Sequence, residues 1–167
     1  MEKIEEKLQT AFAGESQANR KYLAYSKKAD EEGYKQIARL FRAVAAAETI
    51  HAHNHLRIMG GIKTTEENLK AAIEGEHYEF TKMYPEFIEQ ANKESKKRAA
   101  RSFEWANEVE KVHGELYSKY LERLKAGEKF EEEDFYVCEV CGYTGEGETP
   151  DKCPVCRAVK EKFMKIE

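Results

Sequence analysis

The sequence lacks any run of 18 apolar residues, and its first eight residues are largely charged. A membrane-spanning helix needs about 20 apolar residues, and a secretory signal needs an apolar core. Basic residues are not in excess either, since 28 Lys and Arg face 32 Asp and Glu, for a formal net charge of −4. Nucleic-acid binding calls for a basic stripe. We therefore expect a cytoplasmic protein that binds neither membrane nor nucleic acid.

Cysteine is also absent from most of the chain. All four cysteines fall between Cys138 and Cys156, so no disulfide framework ties the first 137 residues together. A chain of 167 residues can hold one main domain and a small appendage. The cysteine distribution places that appendage at the carboxyl end.

Apolar residues recur at helical spacing along most of the remaining chain. They predict four helices, over about residues 3–31, 34–59, 64–92 and 95–127. Gly33 interrupts the first pair and Gly60-Gly61 ends the second helix, as glycine does at helix C-termini. Thr64 and Glu67 have the spacing of a capping box that opens the third helix.

Two features of the second pair of helices are less regular. Pro85 cannot donate to the Thr81 carbonyl and is expected to kink the third helix. The boundary before the fourth helix, near Ser95, contains neither glycine nor proline. The turn between these two helices is therefore placed only approximately.

Two Glu-x-x-His pairs, Glu48/His51 and Glu110/His113, carry the chemistry of the helical part. Residues three apart lie about 60° around a helix axis, so each pair can offer two ligand atoms to one metal ion. The preceding helices carry Glu15 and then Glu76 with Glu79. Ferritin-like bundles hold two iron or manganese ions with such a set.

Antiparallel packing would bring these residues to the same level. Around a turn at residue 32, Glu15 lies 17 positions before and Glu48 lies 16 after. Around a turn near residue 94.5, the midpoint of Glu76 and Glu79 lies 17 before, and that of Glu110 and His113 lies 17 after. We therefore expect each helical hairpin to bring its own acidic and histidine residues face to face.

Each candidate ligand has a less specific explanation. A single helical Glu is usually a surface residue, and Glu/His pairs three apart also occur by chance. The candidates lie among small or apolar neighbours, where an unpaired carboxylate would be costly. His53, His55 and His77 are interpreted as non-ligating. Tyr22 and Tyr84 are either core aromatics or hydrogen-bond donors to groups at the metals, and we favour the second role.

The carboxyl-terminal segment has a motif of its own. Cys138-x-x-Cys141 and Cys153-Pro154-x-Cys156 flank a short loop, which predicts a tetrahedral four-thiolate metal site. A segment of about 34 residues cannot bury an adequate core and needs such a metal. The spacing alone leaves zinc and iron open.

The order of both motif sets resembles the rubrerythrin family over essentially the whole chain. The resemblance implies a mainly α fold: a ferritin-like di-iron four-helix bundle over residues 1–130, then a rubredoxin-like Fe(Cys)4 domain over residues 134–167. It also implies the ligand positions Glu15, Glu48, His51, Glu76, Glu79, Glu110, His113, Cys138, Cys141, Cys153 and Cys156. Tyr22 and Tyr84 match the catalytic tyrosine positions of the family. The loop between the cysteine knuckles is shorter than in free-standing rubredoxins.

The resemblance implies a non-haem di-iron peroxidase that reduces hydrogen peroxide to water in oxidative-stress defence. In this hypothesis Glu48 and Glu110 bridge the two irons, and one carboxylate or His51 exchanges as a ligand with oxidation state. The implied electron donor is rubredoxin or its NAD(P)H-linked reductase, and electrons return through the Fe(Cys)4 site. A head-to-tail homodimer, with the close electron path between subunits, is also implied. The connection over residues 60–65 is long enough for helices to be exchanged between chains.

A second class of function remains open at this point. The protein could be a ferritin-like iron-oxidising or storage protein with a structural zinc-ribbon tail. An electron-transfer module is not needed for storage, which favours the peroxidase. Iron in the four-thiolate site would be red in its ferric form, whereas zinc would be colourless.

Overall fold

The computed structural model describes residues 3 to 167, most of which are helical. The helices are α1 (Ile4–Glu31), α2 (Lys35–Ile58), α3 (Thr65–Tyr78), α4 (Tyr84–Lys93) and α5 (Lys97–Lys125). A π-helical turn over Glu79–Met83 joins α3 to α4 without a break. The predicted mainly α fold, with four helical segments before a small domain, is confirmed.

The chain divides into two compact units, with the boundary between Lys63 and Thr64. The first unit is the hairpin of α1 and α2. The second contains the segment from α3 to α4, packed against α5, together with the small domain. The predicted domain limits, 1–130 and 134–167, remain a prediction.

Alanines determine how closely the helices of the first unit approach each other. Ala38, Ala45 and Ala52 recur every seventh residue along α2 and are 0%, 1% and 5% exposed. Seven residues are about two helical turns, so the three methyl groups form one narrow stripe. Asn19 of α1 crosses this seam and donates to the Ala45 carbonyl at 2.7 Å and to Thr49 Oγ1 at 2.8 Å.

The helix ends lie close to where the sequence predicts them. Gly33 and Gly60 follow α1 and α2 with φ of +84° and +69°, values that favour glycine. Thr64 Oγ1 accepts from the Glu67 backbone N–H while the Glu67 carboxylate accepts from the Thr64 N–H, which confirms the capping box. The turn before α5 contains Ser95 at φ +56°, where a glycine would be expected. A serine in this conformation explains why the sequence marks the turn only weakly.

The irregularity near Pro85 is a π turn. The N–H of Tyr84 bonds to the carbonyl of Glu79, five residues back, and Pro85 lies in the first turn of α4. Because Pro85 has no N–H for the Thr81 carbonyl, the regular ladder is already interrupted there, and one extra residue can widen the helix at low cost. The expected kink position is thus occupied by a π turn.

The small domain is a three-stranded antiparallel sheet with the strand order β2-β1-β3. Its strands are β1 (Phe135–Cys138), β2 (Thr144–Glu146) and β3 (Phe163–Ile166). Tyr136 pairs with Gly145, and its ring lies so close that any side chain at Gly145 would overlap it. Tyr136 is consequently buried, and the cysteine loops extend from the end of this sheet.

None of the helices in the described part of the chain combines the length and the apolar character that crossing a bilayer requires.

Candidate metal centres

The first unit brings three of the predicted ligands together. Nδ1 of His51 lies 2.8 Å from Glu48 Oε2 and 3.9 Å from Glu15 Oε1. One potential ligand atom from each residue lies within 4.8 Å of those of the other two. Glu15 of α1 therefore faces Glu48 and His51 of α2, as their nearly equal distances from the turn at residue 32 predict.

The second unit repeats this arrangement. Nδ1 of His113 lies 2.6 Å from Glu110 Oε2 and 3.8 Å from Glu76 Oε1. The ligand atoms of these three residues also lie within 4.8 Å of one another. Each hairpin thus builds one cluster of two carboxylates and one imidazole, and in both clusters Nδ1 is the ring nitrogen that faces the carboxylates.

Electrostatics in the second cluster favour a cation. Burial, followed by the neighbouring Glu110 carboxylate, raises the pKa of Glu76 to about 7. Burial and Glu110 also raise the pKa of Glu79. A hydrogen bond to Glu110 raises the pKa of His113. Carboxylates that repel one another in a half-buried site are neutralised by a divalent ion, so the donor set fits iron or manganese.

Glu79 is positioned differently from the other predicted ligands. It is the first residue of the π turn and is not one of the three residues that form the second cluster. The charges of Glu110 and His113 nonetheless act on the pKa of Glu79, which burial and Glu110 raise and His113 lowers. Glu79 is therefore placed beside the cluster, and its role as a ligand remains a prediction.

The two predicted tyrosines lie in matching aromatic groups. Tyr22 packs against Phe41 with ring centroids 6.2 Å apart, and Tyr84 packs against Phe103 at 6.3 Å. Burial and then Glu79 raise the pKa of Tyr84, so its hydroxyl stays protonated and can donate a hydrogen bond. Both tyrosines are half-buried, and their catalytic role remains a prediction.

These matches reveal an internal repeat that our sequence reasoning missed. Four pairs of equivalent residues are 62 positions apart: Tyr22/Tyr84, Phe41/Phe103, Glu48/Glu110 and His51/His113. Glu15 and Glu76 are only 61 apart. The second unit therefore has one more residue between its first glutamate and its tyrosine, and the π turn accommodates that residue. Comparing the two halves of the sequence would have located the irregularity.

The four cysteines form a third cluster, and none of them is in a disulfide. Cys138 Sγ lies 3.7 Å from Cys156 Sγ, and Cys141 Sγ lies 3.5 Å from Cys153 Sγ. A tetrahedral ion with metal–sulfur bonds of about 2.3 Å would separate its sulfurs by roughly 3.8 Å, so the cage fits such an ion. Burial raises the pKa of Cys141, and a bound cation would let this thiol ionise.

A hydrogen bond connects the cysteine domain to the second cluster. Nε2 of His113 lies 3.0 Å from Thr144 Oγ1, and Thr144 Oγ1 in turn donates to the Gly142 carbonyl at 3.1 Å. Gly142 directly follows Cys141. Because the Thr144 hydroxyl donates to Gly142, it accepts from Nε2–H of His113, and a metal ion bound at Nδ1 would fix this tautomer. The structure thus joins the cysteine loop to His113 within one chain. The electron path between subunits that the sequence suggested remains a prediction.

A second group of contacts fixes the small domain on α5. Tyr120 donates to Glu146 Oε1 at 2.5 Å, and Lys119 bonds to the other oxygen of the same carboxylate. The Arg123 guanidinium lies 5.3 Å from the centre of the Tyr120 ring. Tyr120 and Lys119 are 26 and 27 positions from Glu146 along the chain, and no local sequence motif predicts their contact.

Comparisons with known proteins match this chain over most of its length. The rubrerythrin family model matches residues 6–121, and the model of the rubrerythrin rubredoxin-like domain matches residues 136–164. The chain belongs to the rubrerythrin family. Rubrerythrin-2 of Clostridium acetobutylicum is 35% identical, over 94% of this chain and 93% of its own length. Nigerythrin of Nitratidesulfovibrio vulgaris is 37% identical, over 95% and 84%.

Solved structures of family members confirm the fold assignment. The fully reduced, all-ferrous form of nigerythrin is 35% identical to this chain, with a TM-score of 0.59, and the alignment covers 99% of this chain and 88% of that one. The partially reduced form gives the same identity, TM-score and coverages. The ferritin-like and rubredoxin-like parts expected from the sequence are therefore those of the family.

Proposed function

We propose that this chain is a non-haem di-iron peroxidase, in which the two Glu/His clusters supply the ligands of the two irons and the cysteine cage holds a third iron. The observation that carries the proposal is the contact of His113 with Thr144, which links the cysteine loop to a Glu/His cluster through two hydrogen bonds. An electron-transfer site attached to a cluster suited to redox-active metal is the arrangement that repeated turnover needs.

The seven predicted ligands would hold the two-metal centre. Each hairpin supplies two carboxylates and one imidazole in nearly the same geometry, and Glu79 adds a carboxylate beside the second cluster.

The chemistry requires two electrons for each molecule of hydrogen peroxide. Two ferrous ions would supply one electron each, and with two protons the substrate becomes two water molecules. The residues of the protein would hold the metal ions and orient the substrate. Thr144 fixes the ring of His113, and the protonated hydroxyl of Tyr84 can donate a hydrogen bond to an oxygen of the substrate.

Peroxide consumption under a continuous supply of electrons tests the proposal. Iron-loaded, reduced protein would receive hydrogen peroxide anaerobically while rubredoxin, kept reduced by its NAD(P)H-linked reductase, supplies electrons. We expect many equivalents of peroxide to be consumed per chain. Consumption that stops at one equivalent would instead indicate an iron-oxidising or storage protein.

The identity of the metal in the cysteine cage needs a separate measurement. Protein produced with both iron and zinc available should be red when oxidised and should contain iron in the cage by metal analysis. A colourless protein with zinc in the cage would indicate a structural ribbon and would contradict the electron-transfer role.

A further inference from the structure

A groove beside the first cysteine knuckle combines positive charge with an apolar centre. It has a volume of about 380 Å³ and is lined by Lys97, Arg98, Arg101, Ser102, Trp105 and Val140. The first five residues belong to the amino-terminal turns of α5, and Val140 lies between Cys138 and Cys141. The groove therefore adjoins the cysteine cage directly.

The three cations of this groove are unpartnered among the described residues. Ion pairs with side-chain distances up to 4.0 Å are found for Lys35, Lys111 and Lys119, but none involves Lys97, Arg98 or Arg101. All three are exposed. The one acidic residue next to Val140 is Glu139. An unpaired group of cations stands out in a chain whose formal net charge is −4.

The position of these cations is unfavourable for the helix itself. The N-terminus of a helix carries partial positive charge, so acidic residues are preferred there. The first turns of α1 and α3 contain two glutamates each, whereas the first turns of α2 and α5 contain no acidic residue. Helix stability therefore does not explain the basic residues at the start of α5.

The apolar part of the groove has the composition of a contact surface. Val140 is 45% exposed although it is an apolar residue beside the metal cage. Trp105, the only tryptophan of the chain, is half-buried and lines the groove. Tryptophan and arginine are enriched at protein–protein interfaces, with charged residues at the rim.

We propose that this groove is the docking surface for an acidic one-electron carrier protein that reduces the iron of the cysteine cage. The inference rests on the proposed function and names the surface through which electrons enter. One electron passes from the reduced carrier to the ferric cage, no bond is made or broken, and two such encounters supply one peroxide molecule. Interfaces below about 1,200 Å² are common for such short-lived redox complexes.

Binding of a redox-inert carrier tests the proposal without any turnover. The probe is a small acidic rubredoxin with zinc in place of iron, titrated at low ionic strength while NMR shifts of the carrier are followed. In the variant R98E/R101E we expect the dissociation constant to rise about tenfold or more, since rim charges steer and hold such complexes. The difference should disappear near 1 M salt, where the Debye length is about 3 Å.

A matched control separates the groove from the overall charge. K125E/K129E changes the net charge equally, and Lys125 lies 24 residues beyond Arg101 on α5, about 36 Å along the helix. The control should bind the carrier as the parent does, to within about twofold. Equal weakening in both variants, or no weakening in R98E/R101E, would overturn the proposal.

Two further readouts keep the alternatives apart. Sedimentation of R98E/R101E should show the oligomeric state of the parent, because a changed state would mean that the groove binds a second copy of the chain instead. Reduction of the parent protein by methyl viologen radical cation, followed by peroxide, tests the peroxidase activity without the carrier. Failure there would overturn the proposed function, whereas the binding result alone decides the docking surface.

Discussion

At the residue scale, the candidate metal ligands follow from spacing along the sequence, whereas the residues that contact them from the small domain do not. Glu48/His51 and Glu110/His113 are adjacent on one helix face, so their spacing alone shows that they can share an ion. Thr144 reaches His113 across 31 positions of sequence. A contact of that kind depends on how the small domain docks, and no local pattern encodes it.

Replacement of Thr144 by valine tests its role in positioning His113. Valine keeps the shape but removes both the acceptor for Nε2–H and the donor to the Gly142 carbonyl. Loss of such an outer hydrogen bond commonly lowers metal affinity by about 10- to 100-fold. We expect this loss when the Glu/His sites are titrated with Co²⁺, and we expect serine, which keeps the hydroxyl, to restore it. Unchanged affinity in T144V would show that the bond has no positioning role.

At the element scale, helix ends were predicted where a residue type determines the backbone. Gly33 and Gly60 adopt positive φ as expected, and Thr64 caps α3. Ser95 adopts positive φ without the usual residue, so the sequence showed only an approximate turn. The π turn was missed because a single extra residue leaves no mark in hydrophobic periodicity.

The strained turn at Ser95 leads to a stability prediction. A side chain in the left-handed region costs about 1 kcal/mol or more, and glycine avoids this cost. Ser95→Gly should therefore raise the free energy of unfolding by about 1 kcal/mol, measured by chemical denaturation. Ser95→Ala keeps the Cβ and serves as control. An equal gain in both variants would mean that the backbone conformation is not the cause.

The contact of Glu146 with α5 predicts a pH dependence of stability. Burial tends to raise the pKa of Glu146, but the bonds from Lys119 and Tyr120 outweigh it, so the folded pKa lies below the ordinary 4.5. Its stabilisation is complete above pH 4.5 and is lost as the pH falls through the folded value. Glu146→Gln should cost about 1–2 kcal/mol at pH 7, and the difference from the parent should shrink on acidification.

Trp105 provides the signal for this measurement, since it lies beside Val140 of the small domain. Denaturation followed by its fluorescence reports the docking of that domain on α5. Glu148→Gln, two residues further along and exposed, is the matched control and should change little. If E146Q and E148Q lose equal stability, the Glu146 contact is not what holds the domain.

At the scale of the whole molecule, the order of the motifs was sufficient to predict the family and the fold class. Two hairpins with equivalent clusters and a cysteine domain with its own cage are all visible as spacings in the sequence. The direct connection between cage and cluster was not predicted, because it needs the small domain to lie against α5. From that connection we infer that electrons pass from the cysteine cage to the two-metal centre.

Replacement of Cys141 by serine tests this claim most directly. One measurement compares, for parent and C141S, peroxide consumption by the pre-reduced protein in a single turnover and in steady state with reduced rubredoxin as donor. We predict that C141S keeps the single turnover, since the Glu/His clusters are intact, and loses the steady state. Steady-state turnover in C141S at the parent rate would contradict the account.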